Sequence, residues 1–235
     1  MESIYRIINL NKDYGEGTGI VHALKNINFE IHKGEMVCIV GESGSGKSTL
    51  LNLIAGMDKA DSGSIFYHDQ DIVKYNAKEM MLYRRHIIGF VFQFFNLLDE
   101  LTIYQNVTLT PGCKQKREEI MPLLKKLGIE QKIDKYPRQL SGGEQQRASV
   151  ARALNKESEI LLCDEPTGAL DYKSGKELLK LIEQLHKKDK NKTIIIVTHT
   201  KEISLMCDRI ITLKSGKIIS DIMNKKKIRA KDIDW

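Results

Sequence analysis

The stretch that most constrains this chain is Gly41-Glu42-Ser43-Gly44-Ser45-Gly46-Lys47-Ser48-Thr49. A short apolar run over residues 36–40 leads into it, and an amphipathic run over residues 49–55 leaves it. Strand, glycine loop and helix form the context that the pattern G-x-x-x-x-G-K-[ST] requires to hold phosphate. Glycines open backbone conformations closed to other residues, so successive N–H groups can converge on phosphate oxygens. The helix start adds its positive dipole end and its unpaired N–H groups. Lys47 can then reach the β- and γ-phosphates as a point charge, and the Ser48 hydroxyl can ligate Mg2+. A chain with this stretch in this setting is expected to bind a nucleoside triphosphate.

The rest of the sequence supplies a matching fold. Apolar residues at strand spacing cover residues 4–10 and 23–31, and a turn at 32–35 precedes the run at 36–40. Gly56 is placed to end the helix after the loop. A short strand is expected over 64–67, a helix over 77–85 and an apolar strand over 87–93. Further on come a helix over 144–154, a strand over 160–163, an amphipathic helix over 174–187 and a β-branched strand over 193–198. Residues 209–213 and 217–221 flank Ser215-Gly216 as a hairpin. Strand–helix alternation with continuous apolar strands predicts an α/β fold with a mainly parallel sheet covered on both faces. The N-terminal strands are expected to form a separate antiparallel part.

Residues 97–140 differ in kind, with fewer β-signals and more charge. Ile120, Leu123, Leu124 and Leu127 make one helix face that Gly128 stops, and Pro122 should kink that helix or mark its start. The expected organisation is one nucleotide-binding domain over residues 1–222, with a helical subdomain over about 97–150 inserted, and a basic tail over 223–235. The 235 residues are ample for such a core.

Composition bounds the remaining possibilities. Hydrophobic content of 41% with 29% charged residues fits a soluble globular chain. No apolar run approaches the roughly 20 residues of a membrane span, and residues 1–10 carry no secretory pattern, so the expected place of work is the cytoplasm. Cys38, Cys113, Cys163 and Cys207 are far apart and read as buried thiols. The net charge of +6 would suit nucleic acid or an anionic membrane, but it is mostly diffuse lysine plus Lys225-Lys226-Lys227 and decides neither.

Ligands of parallel sheets collect at the carboxyl ends of the strands, where Gly41, Gln93, Asp164 and His199 all fall. Asp164 suits a metal shell, and Glu165 beside it can orient or deprotonate an attacking water; a capping acidic pair before Pro166 is the plainer alternative. Gln93 offers an amide for metal and water, while His199 can contact the γ-phosphate or hold Glu165. Ser141 can cap the following helix, with Glu144 at capping-box spacing. Gly142 and Gly143 after that cap admit an anion. The chain already has one phosphate loop, so this second anion site suits another molecule's nucleotide.

Together, GESGSGKST, FVFQ ending at Gln93, LSGGEQQR, ILLCDEPTGALD and VTH ending at His199 resemble the ATP-binding subunit of an ABC transporter. The resemblance runs over about residues 4–221. IGFVFQFFNLL and DEPTGALD look like the group serving macrolide export, lipoprotein release and peptide-antibiotic resistance, near kin of the cell-division ATPase. It implies ATP and Mg2+ as cofactors, with Tyr14 stacked on adenine and residues 41–49 around the phosphates. It further implies Ser48 and Gln93 on Mg2+ with Asp164 behind, Glu165 as catalytic base and His199 as switch histidine. Ser141 and Gly143 would contact the γ-phosphate of a second protomer, and Asp171 would cross that interface. The implied whole is an ATP-dependent homodimer at the cytoplasmic face of the membrane, driving a separately encoded permease docked on the helical subdomain. No nucleic acid is expected. Residues 110–116 make the lobe look short for this family, and Thr200 stands where relatives usually carry Asp. A regulator of the cell-division type is the alternative. A soluble ATPase acting on nucleic acid would need a long coiled coil or a second cassette, and the sequence has neither.

Overall fold

The computed structural model describes residues 2–110 and 112–234. Met1, Pro111 (within the stretch 110–116) and Trp235 (last of the segment 223–235) lie outside it. The chain opens with two long antiparallel strands, β1 (Ser3–Tyr14) and β2 (Val21–His32), and β3 (Met36–Val40) then feeds the glycine loop and α1 (Lys47–Ile54). After α1 come β4 (Ser62–Tyr67), the two-residue β5 (Gln70–Asp71), α2 (Ala77–His86) and β6 (Ile88–Val91). Three helices follow: α3 (Ile103–Thr108), α4 (Arg117–Lys126) and α5 (Gly142–Asn155). The chain then alternates β7 (Ile160–Asp164), α6 (Tyr172–Lys188), β8 (Thr193–Thr198) and α7 (Lys201–Ser204), and closes with β9 (Arg209–Lys214) and β10 (Lys217–Met223).

Two sheets result. The antiparallel one has the order β2-β1-β4-β5, and the six-stranded one β10-β9-β3-β8-β7-β6. In the larger sheet every pair is parallel except the β9–β10 hairpin. That hairpin turns on Ser215 and Gly216, both at positive φ, as a tight two-residue turn requires.

The central strands are buried throughout, and their alternation divides the core. Met36, Cys38 and Val40 join a cluster with Leu161, Cys163, Ile194, Ile196 and the inner faces of α5 and α6. Val37 and Ile39 pack the other way, with Ile160, Leu162, Ile195, Val197, α1 and the antiparallel sheet. The period of two in these apolar runs therefore supplies both faces of one buried sheet. All four cysteines are buried and free, and no group of three or more His, Cys, Asp or Glu able to hold a metal occurs among the described residues. No helix among them is long and apolar enough to cross a membrane.

Some local expectations shift. β6 stops at Val91, so Gln93 stands two residues beyond the strand rather than at its end. The helix α4 begins five residues before Pro122, which is therefore inside it and not its start. The proline leaves the Glu118 carbonyl without its helical donor, and Glu118 is exposed, where water can replace it. Residues 224–234, read as part of a basic tail, pack onto the domain: Ala230 and Ile233 are completely buried. Lys227 pairs with Asp208 at 2.5 Å, and Asp234 accepts from the Tyr172 hydroxyl at 2.6 Å.

Candidate functional site

The cleft at the carboxyl ends of the central strands has a volume of about 1140 Å³. Gly46 is the N-cap of α1 and adopts φ +101, where an L side chain is strained. A Cβ there would lie 2.4 Å from the Ala23 carbonyl oxygen, so only glycine lets β2 pass so close to the loop. Lys47, at the first turn of α1, is buried, and its Nζ donates to the carbonyls of Gly41 (2.9 Å) and Glu42 (2.8 Å). Burial lowers its pKa, and the charges of Glu165 and Asp164 pull it back upward. Lys25, Lys201 and Lys214 also line the cleft, giving it a cationic wall suited to a polyphosphate.

Register across the sheet sets the acidic side of the site. Val40 pairs with Thr198, and Asp164 pairs with Val197, so the glycine loop, Asp164 and the end of β8 lie close together. The Ser48 hydroxyl donates to Asp164 Oδ1 at 2.9 Å. The Asp164 pKa is raised, first by burial and also by the Glu165 charge, against lowering contributions from Ser48 and Lys47. Glu165 follows β7 in a left-handed turn at φ +43, and its N–H donates to the Val197 carbonyl at 3.0 Å. Such a backbone costs a non-glycine residue about 1–3 kcal/mol.

Both Glu165 carboxylate oxygens are held. Thr198 Oγ1 donates to Oε2 at 3.0 Å, and His199 Nδ1 lies 2.9 Å from Oε1. The Thr200 N–H donates to that same Thr198 oxygen at 3.1 Å, which leaves the hydroxyl proton free for Glu165. Position 200 thus acts here through its backbone, a contact that does not depend on the side chain.

The cleft brings together Tyr14, Gly41, Glu42, Ser43, Gly44, Gly46, Lys47, Ser48, Thr49, Gln93, Glu165 and His199. Asp164 lies behind Ser48, and Ser45 is buried beneath the loop. Tyr14 ends β1, and its hydroxyl donates to Asp58 Oδ2 at 2.7 Å, while Lys12 Nζ sits 4.9 Å from its ring centroid.

Ser141, Gly142, Gly143, Glu144 and Asp171 are not in that cleft. Ser141 caps α5, and its N–H donates to Glu144 Oε2 at 2.8 Å in a capping box. Lys132 Nζ holds the other Glu144 oxygen at 3.2 Å. Asp171 caps α6, accepting from the Ser174 N–H (2.9 Å) and hydroxyl (2.7 Å). Arg147 of α5 donates to the same Ser174 hydroxyl at 3.0 Å. The two helix starts therefore form one linked group, apart from the chain's own phosphate loop. Sequence reasoning missed Thr198, Asp58 and Gln146. Thr198 had a signal, as the polar end of an apolar strand, and Gln146 stands inside LSGGEQQR without a role read for it; Asp58 had none outside three dimensions.

With this geometry in hand, known proteins provide comparisons. The profile of the ABC transporter family matches residues 24–168. The chain is 46% identical over 224 residues to the macrolide export ATP-binding/permease protein MacB of Mannheimia succiniciproducens, covering 93% of this chain and 34% of that protein. It is 41% identical over 236 residues to MacB of Neisseria meningitidis, covering 98% of this chain and 36% of that one. The chain thus spans about a third of the length of the curated relatives it matches. Among solved structures, the dimeric bacterial ABC transporter cassette MJ0796 superposes with a TM-score of 0.88 at 39% identity, covering 94% of this chain and 99% of the cassette. A post-hydrolysis dimer of that cassette bound to ADP and Pi gives a TM-score of 0.87 at 37% identity.

Proposed function

The chain belongs to the ABC transporter family, and from that premise we propose that it is the ATP-driven cassette of a membrane export system. It is an ABC ATPase and binds ATP. The observation that carries the mechanism is the split layout: the phosphate loop and carboxylates share one cleft, while Ser141 and Asp171 stand outside it. In this reading the loop amides and Lys47 hold the phosphates, and Tyr14 stacks on adenine. Ser48 and Gln93, with Asp164 behind, are an oxygen-only donor set that fits Mg2+; the Ser48–Asp164 hydrogen bond already turns the hydroxyl toward the carboxylate. Bound there, the ion would neutralise charge on the transferring phosphoryl group. Glu165 accepts the proton of the attacking water, and His199 and Thr198 keep its carboxylate aimed.

Ser141, Gly142 and Gly143 meet the γ-phosphate held by a second copy, so two chains close head to tail around two ATP, with Asp171 crossing between them. The likeness to a dimeric cassette supports this assembly. The mechanical partner is a permease at the cytoplasmic face of the membrane, on the same polypeptide or another, docked on the helical subdomain around α3 and α4. The likeness to MacB favours a macrolide or a similarly amphipathic compound as the exported substrate.

The test uses Glu165→Gln, which leaves binding intact and removes the proton acceptor. With ATP it should run at twice the monomer mass by light scattering, and its affinity pull-down from host membranes should retain a multi-span protein. A variant that binds ATP yet stays monomeric would remove the head-to-tail sandwich.

A further inference from the structure

Gln146 is completely buried, an unusual place for an amide. It lies on α5, five residues beyond Ser141, and its Nε2 sits 3.3 Å from two carbonyl oxygens, those of Phe92 and Pro166. Phe92 immediately precedes Gln93, and Pro166 immediately follows Glu165. These are the exits of β6 and β7, which run parallel in register up to Val91 and Cys163 and then separate. Beyond that point the ladder no longer joins them. Gln146 Oε1 is buried with no hydrogen-bond partner, a cost of about 1–3 kcal/mol for an isolated acceptor. An apolar side chain of equal length would relieve that cost but leave the Phe92 and Pro166 carbonyls without this donor.

We propose that Gln146 is a positioning residue that ties the exits carrying Gln93 and Glu165 to the helix that begins at Ser141. The proposal rests on the function proposed above for those three residues. Its two donor hydrogens match its two acceptors, one on each exit, and its backbone rides on α5 one helical turn and a half from the cap. Movement of the Ser141 end therefore reaches the amide and the carboxylate of the cleft together. If the second copy's nucleotide shifts α5 by pressing on its N-terminus, Gln93 and Glu165 move as a pair.

Gln146→Met keeps length and volume and removes both donors; Gln146→Leu removes them with a stiffer apolar side chain. Hydrogen–deuterium exchange on the nucleotide-free variants should show faster exchange in the segments around residues 92–95 and 167–170, with α6 unchanged. In the same variants kcat should fall at least tenfold, with ATP affinity by equilibrium binding within twofold of the parent. Combining Gln146→Met with Ser141→Ala should cost no more turnover than the worse single variant, because both break one linkage. Unchanged exchange in either exit segment overturns the proposal, as does a kcat within twofold of the parent, or a fall of ATP affinity as large as that of kcat. A parent chain that turns over no ATP would remove the proposed function instead, while the exchange measurement would still decide whether Gln146 holds the two exits together.

Discussion

Asp164 is 7% exposed, and its protonated form is favoured by burial and by the neighbouring Glu165 carboxylate. A folded-state pKa above the ordinary 3.8 means that the native chain binds more protons than the unfolded one just above that pH. Stability attributable to this group is therefore fully present below pH 3.8 and declines as pH rises through the folded value. Asp164→Asn keeps an acceptor for Ser48 without the charge. It should raise Tm near neutral pH, while turnover is lost. The gain over the parent should shrink as the melts are repeated from pH 6 down to pH 3.5; a constant gain would assign the effect to something other than the charge. The same residues show how far sequence alone reaches. Asp164, Glu165 and His199 were visible because each follows an apolar run whose end must face a ligand. Thr198 and Gln146 reach these exits through contacts made across 33 and 20 positions of chain, which no local pattern encodes.

The elements of the large sheet were legible for a simple reason: strands buried on both faces are apolar without interruption, and the glycine loop marks where the first one ends. The short helix α3 was not, although Thr102 and Gln105 form a capping box at its start; six residues give too little periodicity to notice. In α4 the apolar stripe was read correctly, but Pro122 does not mark the helix start. Ile120 and Leu124 are completely buried, and anchoring that face keeps the helix continuous through Pro122. The proline then remains as a cost with no visible compensation, since it is exposed. Pro122→Ala should restore the missing N–H and stabilise the chain by about 1–3 kcal/mol, read from urea unfolding at constant m. A destabilised variant would show that Pro122 makes a contact its exposure does not suggest.

At the scale of the whole molecule, the segment after β10 closes the domain. Residues 224–234 cross beside α7 to reach α6: the Ile228 N–H donates to the Leu205 carbonyl at 3.0 Å, and Asp234 meets both Tyr172 and Lys176 near the start of α6. Ala230 and Ile233 were hidden among lysines and aspartates, in a segment with too few apolar residues to set a period. Their burial depends on a surface supplied by α6, so only the assembled fold reveals it. Ile233→Ala should destabilise the chain by about 2–5 kcal/mol, the usual cost of emptying a fully buried isoleucine site. Circular dichroism melts would check this, and a change under 0.5 kcal/mol would show the segment to be dispensable. Because Asp171 caps the same helix that this segment reaches, the loss should also loosen the outlying half of the site.

Gly41 and Gly44 stand three positions apart in one motif, yet a side chain would meet very different surroundings at each. At 41 an added Cβ would lie 2.2 Å from the Leu213 carbonyl oxygen; at 44 it would meet nothing within 4 Å, although φ there is +75. In a pool of randomly varied genes sorted only for folded product, position 41 would stay glycine, and position 44 would open to residues such as asparagine that accept a left-handed backbone. Sorting the same pool for growth that depends on the cleft would close position 44 as well. One nine-letter signature thus records two separate histories of selection, one for the sheet and one for its ligand.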